Sequence, residues 1–295
     1  MANFKFRYFW PNFDVDDNFI LTLLQPVMHV NSLNQDITLE IHSVFTRPRR
    51  FYEIYIRSQI AVRKVWYKCI RKKAIFIWYS GENIAPPPRY DLTLSFKPTT
   101  DTNIYWPFWV TRVIEQSKKN HQKTQSDDFF SKYTLPRENG DVDQRNWKIC
   151  TFLSNPTAWR LELAKELEDL GLLDIYGSSV DRYVVSKPDK AKEYVFELCF
   201  ENELSEGYVT EKVIESWDNG CIPIYSGMDT QKYLNTEAIL DLTGLEFSEV
   251  VSKISSFLRD INRINQVTKE PILIRTFDTN LFSERVLSSI NRKYS

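Results

Sequence analysis

The second half of the chain alternates apolar runs typical of strands with amphipathic runs typical of helices. The strand-like runs are "WKICTFLS", "LLDIYG", "EYVFELCF", "CIPIYSG" and the short "AILDL". The helix-like runs "TAWRLELAKELEDLG", "TEKVIESWDNG" and "FSEVVSKISSFLRD" lie between or after them. Because strands that alternate with helices form βαβ units, this half is predicted to fold around a parallel sheet. The predicted fold class is therefore α/β.

The first half carries further strand candidates, and a polar stretch separates it from the second half. The strand candidates are the apolar runs "FKFRYFW", "ITLEIHSVF", "AIFIWY" and "DLTLSF". Residues 115–146 are polar and make the best linker candidate. We predict an N-terminal domain over residues 1–145 that ends in this linker, a C-terminal domain over 146–275, and a last helix over 276–295.

The composition argues against several classes of protein and indicates the cellular compartment. The chain has 295 residues, a net charge of −1 and 42% hydrophobic residues, which argues against a general nucleic-acid binder. The first residues, "MANFKFRYFW", lack the long apolar stretch expected of a signal peptide, and no apolar run reaches the roughly 18 residues of a spanning helix. The four cysteines are far apart, which disfavours a disulfide framework or a zinc site. We expect a cytoplasmic protein, or the soluble part of a longer one. The sequence does not indicate an oligomeric state.

The stretch "FELCFENELSEGYVTEKVIESWDNGCIPIYSG" combines an apolar strand, several acids and the start of a helix. Thr210 is predicted to cap that helix at its N-terminus. Lys212 in the first turn suits a phosphate group, and Glu211 can accept hydrogen bonds from sugar hydroxyls. These side chains fit a nucleotide sugar. They also fit an ordinary helix start with a solvated lysine, and both interpretations stay open on these residues alone.

The same stretch carries a resemblance to a known family. "FELCFEN", a gap of five residues, "YVTEK" and then "GCIPIYSG" closely resemble the signature of the α1,3/α1,4-fucosyltransferase family. "FLSNPTAWRLELAKEL" resembles that family's S-N-x…R segment at a strand-to-helix turn. "YSGENIAPPPRYDLTLSF" resembles its N-terminal segment Y-x-G-E-N…P…(F/Y)D. The resemblance covers roughly residues 74–245.

The resemblance implies a fold and an activity. The fold is GT-B, with two Rossmann-like domains facing each other across a cleft, the first binding the acceptor and the second GDP-fucose. The implied reaction moves L-fucose to a hydroxyl of an N-acetylglucosamine- or glucose-containing glycan in one inverting displacement, with α1,3 or α1,4 linkage. The implied partners are a nucleotide sugar and a glycan, with no nucleic acid, and no cofactor or metal is required. Two alternatives stay open, which are a different nucleotide sugar and a nucleotide-sugar-binding module without catalysis.

The resemblance also implies roles for single residues. Glu82 in "GEN" matches the base that takes the proton of the acceptor hydroxyl, with a turn-capping glutamate as the alternative. Arg160 matches the cation that clamps the diphosphate, with an arginine on the helix surface as the alternative. Glu201 is expected to orient its neighbours. The full set expected to bind the donor is Arg160, Asn202, Tyr208, Val209, Thr210, Glu211 and Lys212.

Two features depart from the family pattern. Glu203 follows "FEN" where the family usually has Ser or Thr, and an extra acid near a diphosphate raises the alternative of another donor. The run "PPP" at 86–88 is unusual and is expected to re-aim the acceptor loop. The lack of an anchor and of glycosylation sequons favours a bacterial or viral origin over Golgi residence.

Three other stretches allow more than one interpretation. "DVD" at 141–143 resembles a D-x-D metal motif, but it follows no strand, so no metal site is predicted there. "IYWPFWV" suits either a sugar-binding platform or core packing. "RRFYEIYIRSQIAVRKVWYKCIRKK" suits either peripheral contact with a membrane or an anionic glycan, or a solvated basic helix face.

Overall fold

A computed structural model describes most of the chain. The described residues are 3–9, 12–30, 37–43, 52–70, 72–84, 89–119, 129–137 and 144–294. The chain divides into two compact units. Unit 1 comprises Met1–Phe129 and Phe277–Ser295, and unit 2 comprises Phe130–Thr276.

Unit 1 is built on a five-stranded parallel sheet whose strand order, β1-β2-β3-β4-β5, follows the chain. Its strands are β1 (Asn3–Arg7), β2 (Ile37–His42), β3 (Lys73–Tyr79), β4 (Leu92–Ser95) and β5 (Asn103–Tyr105). Its helices are α1 (Phe19–Val30), α2 (Tyr52–Cys69), α3 (Phe108–Lys119) and, from the end of the chain, α9 (Thr279–Tyr294). Central strands such as β3 are almost wholly buried, which explains their continuous apolar sequences.

Unit 2 is built on a second five-stranded parallel sheet, of order β10-β9-β8-β6-β7. Its strands are β6 (Asn146–Phe152), β7 (Leu173–Tyr176), β8 (Tyr194–Leu198), β9 (Ile222–Tyr225) and β10 (Leu240–Asp241). Its helices are α4 (Ala158–Asp169), α5 (Lys187–Ala191), α6 (Lys212–Asp218), α7 (Phe247–Phe257) and α8 (Ile261–Val267). Apolar residues of β6, β8 and β9 pack against α4 and α7 in one core.

The unit boundaries differ from the predicted domain boundaries. Unit 2 begins at Phe130, before the predicted start at 146, and the last helix belongs to unit 1. The described parts of the predicted linker are also more structured than its polar sequence indicated. Residues 115–119 continue α3, and Ser131–Thr134 form a 3-10 turn with a buried Tyr133. Buried aromatic side chains on either side of the polar run account for this difference, because they pack where a linker would be solvated.

The aromatic run "IYWPFWV" belongs to the core of unit 1. Trp106 and Trp109 are 1% and 0% exposed. The ring of Trp106 lies 4.4 Å from that of Phe282 in α9 and 5.5 Å from that of Phe19 in α1. The sugar-platform interpretation is therefore wrong for these two buried indoles, and Trp106 packs against both α1 and α9 at the end of the sheet.

The basic stretch forms α2, whose outer side exposes Val62, Val65 and Trp66. Arg63 and Lys64 reach back to carboxylates of the sheet, so part of the basic character has a structural use. Contact with a membrane surface or an anionic glycan stays a prediction for the outer side. In the described part of the chain, no helix is long and apolar enough to cross a membrane.

Glu40 of β2 is the centre of a buried charged cluster in unit 1. Its carboxylate accepts hydrogen bonds from Arg7 Nε at 3.0 Å and from Arg63 Nη2 at 2.8 Å. The Tyr67 hydroxyl donates to it at 3.2 Å, and His42 Nε2 lies at 3.0 Å. Because these partners come from β1, β2 and α2, one carboxylate ties the edge of the sheet to the helix that covers it.

The ionisation states of the cluster follow from burial and pairing. Burial raises the pKa of Glu40, but hydrogen bonds and attraction from His42 and Arg63 outweigh this and lower it to about 2. Burial lowers the pKa of His42, so its ring is neutral at pH 7. A neutral ring with its proton on Nε2 can donate to Glu40 and accept from the Tyr90 hydroxyl, which lies 2.9 Å from Nδ1.

We predict that Glu40→Ala lowers the free energy of unfolding by about 3 kcal/mol, because it leaves the partly buried Arg63 guanidinium and the buried donors of His42 and Tyr67 without their acceptor. Urea unfolding measures the loss. Since the folded pKa of Glu40 is depressed, its stabilisation is present above the ordinary glutamate pKa and is lost as the pH falls towards about 2. The variant should therefore lose less stability than the wild type on acidification.

Asp101→Ala is the matched control, since it removes an exposed ion pair with Arg292 in the same unit. We expect it to change the free energy of unfolding by less than about 0.5 kcal/mol. A Glu40→Ala variant as stable as this control would contradict the role given to the cluster.

Candidate active site

The order of strands in unit 2 creates a crevice at one edge of its sheet. β6 lies between β7 and β8, so the chain leaves β6 in one direction and returns on its other side. In open parallel sheets, ligands bind outside the carboxyl ends of the strands at such a switch point. Arg160 lies in the helix that follows β6, and Glu201 and Asn202 follow β8. The sequence motifs therefore meet where the topology predicts a ligand.

Arg160 projects from the first turn of α4. Thr157 caps this helix, and its side chain accepts a hydrogen bond from the Arg160 backbone N–H at 3.4 Å. The guanidinium donates to Asn202 Oδ1 at 2.5 Å, and Arg160 is 9% exposed. Burial lowers the pKa of Arg160 and Glu201 raises it in part, but a guanidinium stays charged at neutral pH. The alternative of an arginine on the helix surface is thus wrong.

Glu201 joins the three parts of the signature. Its side chain is fully buried. One carboxylate oxygen accepts hydrogen bonds from the Thr210 N–H at 2.7 Å and from the Tyr225 hydroxyl at 3.3 Å. The other accepts from Thr210 Oγ1 at 2.7 Å and from Lys212 Nζ at 3.1 Å. The expectation that Glu201 orients its neighbours matches these contacts.

Lys212 presents a positive charge whose position is fixed. Its ammonium donates to Glu201 Oε2 and, at 2.8 Å, to Thr210 Oγ1, and its side chain is 18% exposed. Burial lowers the pKa of Lys212, but attraction from Glu201 and Glu211 outweighs it and leaves the pKa raised. The lysine therefore stays protonated well above neutral pH, and the alternative of a freely solvated side chain is wrong.

The prediction that Thr210 caps α6 is also wrong. The helix is seven residues long and begins at Lys212, and Glu211 occupies the capping position without a side-chain cap hydrogen bond. The Thr210 hydroxyl is taken up by Glu201 and Lys212 instead. The buried stripe of α6 is as predicted, and Gly220 follows its end with a φ of +81°.

The other members of the predicted donor-binding set differ in accessibility. Tyr208, Val209 and Thr210 are buried, at 2%, 0% and 3% exposed, so they support the loop from inside. Glu211 is half-buried and Asn202 is exposed. Contact of these residues with a donor stays a prediction, and the accessible polar atoms favour Arg160, Asn202, Glu211 and Lys212.

A cavity of about 320 Å³ lies beside Arg160. Its lining includes Asn202, Glu203, Trp159 and Phe247. The volume is in the range of small-molecule sites. Glu203 is itself exposed, which lets its carboxylate reach solvent while it borders the cavity.

Glu82 lies in unit 1, at the carboxyl end of β3. Ser80 is buried, and its hydroxyl donates to the backbone oxygens of Glu82 at 2.5 Å and of Ile84 at 3.1 Å. The Ile84 N–H also donates to the Glu82 oxygen at 2.7 Å. This tight turn fixes the backbone from which the half-buried Glu82 side chain extends. Its role as base stays a prediction.

Two of the sequence predictions concern residues outside the described ranges. These are the "PPP" run at 86–88 and the "DVD" run at 141–143. Across the described ranges, no group of three or more His, Cys, Asp and Glu side chains could hold a metal ion.

Known proteins resemble the chain along much of its length. A family model described as glycosyltransferase family 10 (fucosyltransferase), C-terminal part, matches residues 142–266. The matched segment contains Arg160, Glu201 and Lys212, and the match agrees with the resemblance to fucosyltransferases found in the sequence.

Two curated relatives carry α1,3-fucosyltransferase names. The chain is 48% identical over 220 residues to the α-(1,3)-fucosyltransferase FucT of Helicobacter pylori, which covers 66% of this chain and 45% of that protein. It is 26% identical over 168 residues to α-(1,3)-fucosyltransferase C of Drosophila melanogaster, which covers 52% of this chain and 38% of that protein. The alignments thus span less than half the length of these family 10 relatives.

Solved structures resemble the whole chain. A crystal structure of an α1,3-fucosyltransferase matches with a TM-score of 0.68 and 18% identity, over 98% of this chain and 89% of that one. A crystal structure of an α1,3-fucosyltransferase with GDP-fucose matches with a TM-score of 0.65, over 99% and 90%. The GT-B fold class predicted from the sequence is confirmed.

Sequence reasoning missed part of the Glu201 cluster. Tyr225 and Gly227 belong to the motif "GCIPIYSG". The sequence alone assigns no structural role to the last glycine of this motif. A Cβ atom on Gly227 would lie 2.1 Å from the Tyr225 hydroxyl oxygen and 2.9 Å from Glu201 Cγ. The glycine therefore allows the turn after β9 to approach the carboxylate. The available signal was an acid placed directly after a buried strand, opposite a motif that ends in glycine.

We predict that Gly227→Ala destabilises the protein by about 1–3 kcal/mol, because the added methyl displaces Tyr225 and Glu201. Thermal or urea unfolding measures the change. Gly171→Ala is the control, since Gly171 has a φ of +72° but no atom within 4 Å of the new methyl. We expect the control to lose only about 1 kcal/mol, from backbone strain. Equal losses in both variants would argue against close packing at Gly227.

Proposed function

We propose that the chain is an inverting fucosyltransferase that moves L-fucose from GDP-fucose to a glycan hydroxyl, with α1,3 linkage favoured over α1,4. The observation that carries the proposal is the pairing of Arg160 with Asn202 and of Lys212 with Glu201 at the switch point of unit 2. The family 10 match and the α1,3-fucosyltransferase relatives support it. A solved relative with GDP-fucose supports the choice of donor.

Unit 2 would hold the donor through its diphosphate. Arg160 offers a planar guanidinium that can bind two phosphate oxygens, and Lys212 offers an ammonium. Both cations are fixed by neighbours before any donor arrives, so little reorganisation accompanies binding. As the bond between the sugar and the diphosphate breaks, these two charges stabilise the negative charge that collects on the departing GDP. The half-buried Glu211 would accept hydrogen bonds from hydroxyls of the ribose or the fucose.

Unit 1 would supply the base. The carboxylate of Glu82 takes the proton of the acceptor hydroxyl as that oxygen attacks the anomeric carbon of fucose. One carbon–oxygen bond forms on one face of the sugar, and the bond to the diphosphate breaks on the other, so the configuration inverts. The electron pair leaves with GDP, and the proton stays on Glu82 until solvent removes it. These groups require no metal.

The proposed acceptor is a class of glycans, whereas the proposed donor is a single nucleotide sugar. An N-acetylglucosamine- or glucose-containing glycan is the proposed class, and the α1,3 names of the relatives support that linkage. The exposed Glu203 beside the cavity keeps a different nucleotide sugar as the second candidate. A binding module without catalysis is disfavoured, because such a module has no use for the fixed turn that presents Glu82.

We predict that Glu82→Gln binds GDP as the wild type does and lowers kcat by about 10²–10⁴-fold, because the amide cannot accept the proton. Calorimetry with GDP and a transfer assay with GDP-fucose measure the two effects. Wild-type turnover in the variant would remove Glu82 from the role of base. A loss of GDP binding together with turnover would indicate a structural role instead.

We predict that Arg160→Ala and Lys212→Ala each weaken GDP binding by about 10–100-fold, because each removes a charge-assisted hydrogen bond to the diphosphate. Calorimetric titration measures the affinity. Lys165→Ala is the control, since Lys165 is an exposed cation on the same helix as Arg160. The control should bind GDP as the wild type does. Unchanged affinity in both test variants would refute the diphosphate-binding assignment.

A further inference from the structure

We propose that Glu201 is a positioning residue, which holds the Lys212 ammonium in the orientation in which it meets the donor diphosphate. This inference rests on the proposed function, because it needs a diphosphate as the partner of Lys212. It goes further in assigning the direction of that cation to a residue that borders the cavity beside Arg160 but whose carboxylate is fully buried.

The contacts of Glu201 leave it no capacity for a ligand. A carboxylate has about four positions at which it can accept a hydrogen bond. All four are used, by the Thr210 N–H, the Thr210 hydroxyl, the Tyr225 hydroxyl and Lys212 Nζ. The side chain is also fully buried. Glu201 can therefore influence a bound donor only through the groups that it holds.

The contacts of Lys212 show that its ammonium is held in one orientation. An ammonium has three N–H donors. Among the described residues, two of these donors have partners, Glu201 Oε2 at 3.1 Å and Thr210 Oγ1 at 2.8 Å. Two fixed donors determine the direction of the third. A lysine on a flexible stem thus becomes a single donor of fixed direction, which an incoming phosphate oxygen meets without loss of side-chain freedom.

Charge explains why a carboxylate is needed at this position. The charged groups that face Lys212 are Glu201 after β8, Glu211 beside it and Arg160 on α4. Burial and Arg160 both lower the pKa of Lys212, and the two glutamates raise it. Glu201 is the larger of the two attractions that raise the pKa of Lys212. Without its charge that pKa would fall, so that less of the lysine would be protonated at alkaline pH.

A glutamine at position 201 would keep the shape of the side chain but would lose the negative charge that pairs with Lys212. Its amide nitrogen is a donor, and it would face groups that are themselves donors, either Lys212 Nζ or the Thr210 N–H. In either orientation Lys212 would lose its charge partner, and with the amide nitrogen towards Lys212 it would also lose an acceptor that fixes its direction. Glu201→Gln is therefore the variant that separates positioning from simple space filling.

The test is calorimetric titration of the full chain with GDP at about pH 7 and about pH 9, in two buffers of different ionisation enthalpy, which reports protons taken up on binding. The wild type should take up no proton at Lys212 at either pH. Glu201→Gln should bind GDP about tenfold more weakly and take up a proton at the higher pH, as the diphosphate recharges Lys212. Ionisation of the guanine base is common to both proteins and cancels in the comparison.

Glu197→Gln is the matched control. Glu197 lies on β8, is 2% exposed and forms its own ion pair with Lys187 at 3.6 Å. It should leave the proton uptake and the GDP affinity as in the wild type. Proton uptake of equal size in both glutamine variants would overturn the proposal, and so would wild-type binding by Glu201→Gln.

Two further variants keep the proposal falsifiable if Glu201→Gln folds poorly. Thr210→Val removes the hydroxyl that bridges Glu201 and Lys212, and it should cause a smaller loss of GDP affinity in the same direction. In a Lys212→Ala background, Thr210→Val should cause less than about a twofold further loss, because the two act through one contact. Multiplicative losses would overturn the proposal. A wild-type chain that binds no GDP would instead refute the proposed function itself.

Discussion

A single buried carboxylate, that of Glu201, sets the arrangement of the candidate site. Burying a charge is unfavourable unless it is paired and its hydrogen-bonding capacity is filled. The chain meets this requirement with groups from two other motif segments, Thr210 and Lys212 on one side and Tyr225 on the other. Gly227 lets the last of these segments come close enough. The "FEN", "YVTEK" and "GCIPIYSG" segments are thus three parts of one hydrogen-bonded cluster, and none of them can be varied without disturbing the others.

The topology of the parallel sheet places this cluster where a ligand can reach it. β6 and β8 are neighbours although β7 lies between them in the chain, so α4 and the loop after β8 converge at one edge. Arg160 then comes from the connection between β6 and β7, and Lys212 from the connection between β8 and β9, with Asn202 and Glu201 as their respective partners. Unit 1 also contains a buried carboxylate whose hydrogen bonds join separate elements. There a buried Glu40 ties β1 and α2 to β2, which secures the sheet whose β3 presents Glu82.

Much of this arrangement could be predicted from sequence, because parallel strands buried on both faces read as continuous apolar runs. The strands of unit 2 and the helix after "YVTEK" follow from such local patterns. The role predicted for Lys212 came from its place in the first turn of that helix and from the family resemblance, and the role predicted for Arg160 came from the resemblance alone. What failed depended on contacts between distant residues. Thr210 looked like a helix cap, but its hydroxyl is taken by Glu201. "IYWPFWV" allowed a surface platform as the alternative to the favoured core packing, and the packing of Trp106 against α1 and α9 decides for the core. The return of α9 to unit 1 likewise leaves no local signal in the sequence.

The central claim is that the cluster in unit 2 binds the diphosphate of a guanosine nucleotide sugar without a metal. The most direct measurement is calorimetric titration of the wild-type chain, in a buffer with a chelator, against GDP-fucose, GDP-mannose and UDP-galactose. The account predicts saturable binding of GDP-fucose, weaker binding of GDP-mannose and little binding of UDP-galactose. Preferred binding of UDP-galactose, or binding of GDP-fucose that appears only when a divalent metal is added, would contradict it.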